Sequence, residues 1–129
     1  MWLFTTKGFI SAVAWRGDPQ SMCVRARARE HLSALFPEAH VIEMLDADYR
    51  YRAKIPRTLF EQVILYELRD ILYPDFKSEL PFDKYHSACS RVWEVMRDLQ
   101  PLPPRRQKPL WPPEPPPESY EEFEKNFPW

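Results

Sequence analysis

The sequence predicts an α+β protein: an antiparallel sheet covered on one face by two or three helices, a ferredoxin-like two-layer sandwich, followed by an extended proline-rich C-terminal tail. Three observations predict it. Short apolar and β-prone runs separated by turn residues fill the first half of the chain, and two longer segments with apolar residues every three or four positions follow. The chain then changes character at Pro101, beyond which lie ten of its fifteen prolines. Residues 1–100 are therefore read as an α+β domain and residues 101–129 as a proline-rich, acidic and aromatic tail. A body of about 100 residues buries enough apolar surface to fold alone.

Trp2 to Phe4 and Phe9 to Trp15 read as the two arms of a hairpin, with Gly8 free to take the positive φ that a tight turn asks for. After Gly17-Asp18-Pro19, Met22 to Ala28 alternates strictly, with Val24, Ala26 and Ala28 on one face and Cys23, Arg25 and Arg27 on the other. That is the pattern of a half-exposed strand. Arg29 to Phe36 sets Leu32, Leu35 and Phe36 at helical spacing, and Pro37 closes the helix. Strands return at His40 to Leu45 and Tyr49 to Ile55. In the second of these, Tyr49, Tyr51, Ala53 and Ile55 share a face opposite Arg50, Arg52 and Lys54. Thr58-Leu59-Phe60-Glu61 has the form of a capping box that opens a helix reaching about Leu72, with Phe60, Val63, Ile64, Leu68 and Ile71 as its buried stripe. Pro74 breaks it. Asp83 is the N-cap of a last helix, whose Tyr85, Ala88, Cys89, Val92, Trp93, Met96 and Leu99 lie along one side.

Met1-Trp2-Leu3-Phe4-Thr5 with Gly8-Phe9 and Ser11, Val24-Arg25-Ala26-Arg27, Asp48-Tyr49 with Arg52, Asp75-Phe76-Lys77-Ser78-Glu79, and Val92-Trp93 with Val95-Met96 and Leu99-Gln100 carry a resemblance. Together they resemble a family of short uncharacterised bacterial proteins, over Met1 to Gln100. Family members often have Asn where Asp75 stands here and a longer loop after the first hairpin. The resemblance implies that the body is a complete unit and the tail an addition. It implies no activity.

The net charge of -1 argues against a general polyanion binder, but Met1 to Arg57 holds nine Lys and Arg against six Asp and Glu, and Thr58 to Gln100 five against eight. One half is mildly basic and the other mildly acidic. Cys23 and Cys89 are distant in sequence and flanked by apolar residues, which favours two buried thiols over a disulfide and fits a reducing cytoplasm. The N-terminus lacks a signal-peptide pattern and no apolar run is long enough to span a bilayer, so the expected location is cytoplasmic with no membrane partner.

Enzyme signatures are sparse. His31, His40 and His86 are scattered without metal-ligand spacing, and with only Gly8 and Gly17 there is no phosphate-cradling loop or nucleophile elbow. No metal, cofactor or catalytic residue is assigned. Lys77 beside Ser78 is read as part of a turn in which Asp75 and Ser78 make capping hydrogen bonds and Phe76 anchors the loop.

Two contact surfaces stand out. Arg25 and Arg27 on one strand and Arg50, Arg52 and Lys54 on another project to one side of a sheet, a candidate nucleic-acid or nucleotide surface whose bland reading is solvation and pairing with Glu43 and Asp48. By parity Tyr49 and Tyr51 fall on the opposite face. The tail offers the second. Pro101 to Pro117 favours polyproline II, and the acidic segment from Ser119 carries aromatic residues, so Trp111, Tyr120, Phe123, Phe127 and Trp129 are the candidate protein-binding residues. The expected function is that of a small non-enzymatic binding or regulatory protein, associating with a protein partner or with itself as a homodimer through this tail. Nucleic-acid binding is the alternative, and an unrecognised hydrolase stands third.

Overall fold

Two tight turns set the first three strands side by side. In a computed structural model describing residues Met1–Leu102, β1 (Trp2–Thr5) turns through Thr6-Lys7 into β2 (Gly8–Trp15), which turns through Arg16-Gly17 into β3 (Asp18–Ala26). Both glycines take positive φ: Gly17, at +83°, inside its turn, and Gly8, at +150°, as the first residue of β2. The Thr5 hydroxyl oxygen accepts the amides of Lys7 and Gly8 at 3.1 and 3.2 Å, closing the first turn from inside. Then come α1 (Arg29–Leu35), β4 (Ile42–Glu43), β5 (Tyr51–Pro56), α2 (Arg57–Arg69), a 3-10 turn at Lys77–Glu79, and α3 (Lys84–Arg97). Met1–Arg97 forms one compact unit.

The five strands make one sheet in the order β1-β2-β3-β5-β4, every neighbouring pair antiparallel. With the three helices this is the expected α+β class. Alternation gives the sheet two unlike faces. Ile10 and Ala12 of β2, Val24 and Ala26 of β3, and Ala53 and Ile55 of β5 are buried beneath Leu32, Leu35 and Phe36 at α1 and Phe60 of α2. Phe36 and Phe60 stack with centroids 6.0 Å apart and link the two helices. Each wholly buried Leu or Ile side chain contributes about 1.5–3 kcal/mol, so this layer is the main source of stability.

Several expectations shift. The strand expected over His40 to Leu45 shrinks to Ile42–Glu43, because the chain turns back at once: the Met44 amide donates to the Arg50 carbonyl at 2.7 Å. The capping box does not form. Helix α2 starts at Arg57, two residues before the start the box implies, with Pro56 at its N-cap position and no side-chain cap bond. The apolar stripes of the last two helices are only partly covered. On α2 Phe60 is buried but Leu68 is exposed, on α3 only Cys89 is buried while Met96 is exposed, and Ile71 and Leu99 lie exposed beyond the helix ends. The cause is area: α1 and α2 already fill the core face of a small sheet, leaving α3 to attach beside it. Among the described residues no helix is long and apolar enough to cross a membrane.

Candidate functional site

The sheet face away from α1 and α2 is built by register. One row of partners, Trp2, Ser11, Arg25, Arg52 and Ile42, crosses all five strands, and Phe4 pairs with Phe9 in the next row. Phe4 stacks on Phe9 at 4.6 Å, Trp2 meets the same ring edge-on at 6.1 Å, and Phe9 lies 6.4 Å from Tyr49. An aromatic layer thus covers one end of the face. Such contacts add roughly 0.5–1.5 kcal/mol each beyond the area they bury.

Tyr49 corrects the parity expectation. It precedes β5, in a bend where its amide donates to the Asp48 carboxylate at 2.8 Å, so strand alternation does not govern it. Its ring turns to the arginine side instead. The guanidinium carbons of Arg25 and Arg27 lie 4.7 and 5.0 Å from its centroid. Tyr51 keeps to the core side and packs against the buried cluster.

The five cations of the basic ladder separate into two groups. Arg50 pairs with Glu43 at 2.7 Å, Arg52 with Asp48 at 3.2 Å and Lys54 with Asp18 at 3.1 Å. Exposed pairs of this kind are worth only about 0–1 kcal/mol, yet they balance the charge locally. Arg25 and Arg27 remain with the aromatic layer. Arg25 donates from its terminal nitrogen to the Ser11 hydroxyl at 2.8 Å, while its buried Nε has no partner among the described residues.

Beside this layer α3 begins. The Asp83 carboxylate accepts the His86 amide at 3.0 Å, the expected N-cap, and orients the first turn. Tyr85 then reaches back across the molecule: its hydroxyl donates to the Thr5 carbonyl at 2.8 Å and its ring lies 4.8 Å from that of His31. His31 in turn accepts the Phe9 amide on Nδ1 at 3.2 Å. Between α3 and the open face runs a groove of about 660 Å³. Its floor is Phe4, Phe9 and Tyr49, and its wall is Tyr85, Ala88 and Val92. Arg27 and Lys84 stand at the rim, with Asp83 the one acidic group of the lining among the described residues.

Burial holds the His31 imidazole below its ordinary value near 6.5, against the opposing pull of Glu30 and Asp83. Burial likewise pushes the Tyr85 phenol and the Cys89 thiol up, so both stay protonated at neutral pH. His31 carries a pH prediction. The folded chain prefers the neutral ring, so below about pH 6.5 the unfolded chain binds more protons. Stability is then full above that value and falls as the pH drops toward the lower folded value. Thermal unfolding should show this loss as the pH falls below about 6.5, and His31→Gln should flatten it. An unchanged slope in that variant would assign the effect elsewhere, though not to Asp18 or Asp75, whose carboxyls are held below the ordinary 3.8 by the Ser21 and Ser78 hydroxyls and titrate lower still.

Other candidates resolve simply. Asp75 accepts both the amide and the hydroxyl of Ser78, and the Lys77 ammonium sits 4.2 Å from the Trp93 ring, so this loop makes turn and capping contacts as expected. Cys23 is half-buried and Cys89 buried, both as free thiols. Among the described residues no three His, Cys, Asp or Glu side chains cluster to hold a metal ion. Trp111, Tyr120, Phe123, Phe127 and Trp129 lie outside the described residues. Sequence reasoning missed the groove. Its only advance signal was the alternation of Trp2 and Phe4 opposite Phe9, which places aromatics on one face without saying that a helix will wall them in. No protein-family model, no curated protein and no solved structure matches this chain, so the resemblance of Met1 to Gln100 stands on its quoted residues alone.

Proposed function

We propose that the protein works by binding another polypeptide, in a non-enzymatic role, with the groove on its body as receptor and its aromatic C-terminal segment as a peptide-like arm. The groove carries this reading. It is concave, largely apolar, walled by aromatic rings, and bordered by two cations, which suits an extended segment that offers aromatic side chains between acidic ones. Tyr and Trp anchors in pockets dominate such interfaces, and Trp111, Tyr120, Phe123, Phe127 and Trp129 supply that chemistry in the arm.

The test is fluorescence anisotropy of a labelled peptide spanning residues 118–129, titrated with the full chain. The chain's own arm is silenced by Phe123→Ser, Phe127→Ser and Trp129→Ser. Saturable binding is expected, and Arg27→Glu with Val92→Glu should weaken it by at least about ten-fold, since both residues are exposed at the groove and their exchange leaves the core intact. Equal binding with and without those groove changes would end this reading.

Nucleic-acid binding by Arg25, Arg27, Arg50, Arg52 and Lys54 keeps one observation in its favour. Arg25 and Arg52 face each other in a row that ends in the exposed Trp2, and the Arg25 Nε has no partner among the described residues. A single-stranded oligonucleotide in the same titration decides it. Phosphate-driven affinity falls about ten-fold or more from low to moderate salt. It should also vanish in an Arg25→Glu, Arg52→Glu chain.

A further inference from the structure

Resting on the groove reading above, we infer that the occupant of the groove is the acidic, aromatic segment of residues 118–129 from a second copy of this chain, so that two molecules exchange arms. Three observations carry this. The first is charge. Glu118, Glu121, Glu122 and Glu124 accompany a single Lys125 in the segment, while Arg27 and Lys84 stand at the groove rim and Arg25 lies behind them on Tyr49. Opposite charges at the rim steer encounter and fix register.

The second is shape. Phe4 is exposed and stacks on Phe9, so the floor presents open ring surface, while the far wall is the ring of Tyr85 with the small Ala88 and Val92. Tyr120 and Phe123, three positions apart, share one side of a polyproline II-like segment and bury their rings there, while the glutamates beside them reach the cations at the rim.

The third is reach. Nine prolines fall between Pro101 and Pro117. At about 3.1 Å per residue a polyproline II spacer of that length extends roughly 50 Å. A body of about 100 residues has a radius of gyration of only about 13 Å. A sequence of this composition, extended to that reach, is long enough to bring the segment to the groove of a neighbouring molecule. Reciprocal exchange then makes a closed two-fold dimer with two arms in two grooves, which consumes every arm and leaves no open end for further growth.

Sedimentation velocity on the full chain measures the mass. A dimer is expected, and each of two full-length variants should be monomeric: an arm variant, Phe123→Ser with Trp129→Ser, and a groove variant, Arg27→Glu with Lys84→Glu. Loss of either partner should weaken dimerisation by about thirty-fold or more. Mixing the two variants should restore a mixed dimer, because an intact arm meets an intact groove once. Adding Glu121→Lys and Glu122→Lys to the groove variant should restore self-association by reversed charge, which excludes misfolding as the cause of its loss. A monomeric parent, or an arm variant that dimerises as well as the parent, overturns arm exchange. If the parent is monomeric while the labelled 118–129 peptide still binds the arm variant, the groove is a receptor and the second copy is not its occupant. If neither is seen, both proposals fall together.

Discussion

Replacing Gly8 by Ala is expected to lower stability by about 3 kcal/mol or more and to abolish peptide binding. Two independent strains meet at this position. The backbone sits at φ +150°, which side chains rarely adopt, and a Cβ there would stand 2.5 Å from His31 Cδ2 and 2.7 Å from His31 Cβ. The second contact is with the root of the side chain, so no rotation of the imidazole relieves it. His31 must move. It would take with it the bond from the Phe9 amide and the ring contact with Tyr85, which together fix the groove floor to its wall. Strain of the first kind costs roughly 1–3 kcal/mol, and buried steric conflict adds a similar amount. For a body of this size the unfolding midpoint should fall by more than about 10 °C. Gly17→Ala is the control. Its φ is +83° but nothing lies within 4 Å of the new methyl group, so only the backbone term applies. Equal midpoints for the two variants would show that His31 yields without cost.

Tyr85→Ala should have the next largest effect, about 3 kcal/mol, concentrated on α3. Tyr85 ties α3 to the rest of the body: its hydroxyl bonds the Thr5 carbonyl of β1 and its ring meets His31 of α1, with the buried Cys89 one turn later. Removing the ring deletes a large half-buried aromatic and leaves a backbone carbonyl to find water. Tyr85→Phe removes only the hydroxyl and should cost about 1 kcal/mol. Hydrogen exchange gives the sharper readout. In Tyr85→Ala the amides of Lys84–Arg97 should lose protection while those of β2, β3 and β5 keep it. Peptide affinity should fall in parallel, since the groove loses a wall. Unchanged protection along α3 would mean that its attachment lies elsewhere.

Much of the sheet was legible because alternation is a short-range code. Val24 and Ala26 against Cys23 and Arg25 could be assigned to faces from their order alone, and the structure buries the first pair as expected. The positive φ of Gly8 was legible because glycine beside a turn is the residue that takes it without steric cost, whereas the second turn falls at Arg16-Gly17 and Asp18-Pro19 already belongs to β3. Tyr49 was not, because parity counts only while the strand continues, and one bend before Tyr51 reverses the answer. The capping box at Thr58 was a true local pattern overruled by Pro56, which starts the helix without it. The α3 stripe was also correctly periodic, but periodicity states that one side is apolar without naming what covers it. The space under the sheet went to α1 and α2. The groove belongs to none of these codes, being made of β1, β2, the Tyr49 bend and α3, elements whose juxtaposition depends on the whole topology.

The long tie between Thr5 and Tyr85 also fixes when the groove comes into being. The strands β1, β2 and β3 are joined by two-residue turns, so their pairings close over the shortest loops and form early. Strand β5 pairs with β3 across the longer connection through α1, and the edge strand β4 has β5 as its partner. The Tyr85 bond spans 80 positions and waits for nearly the entire body. A chain still emerging or partly assembled therefore presents the aromatic layer without its wall, and has no receptor to offer. If the groove receives an arm as proposed, only a chain whose body is complete through α3 can take one, and half-made copies stay separate.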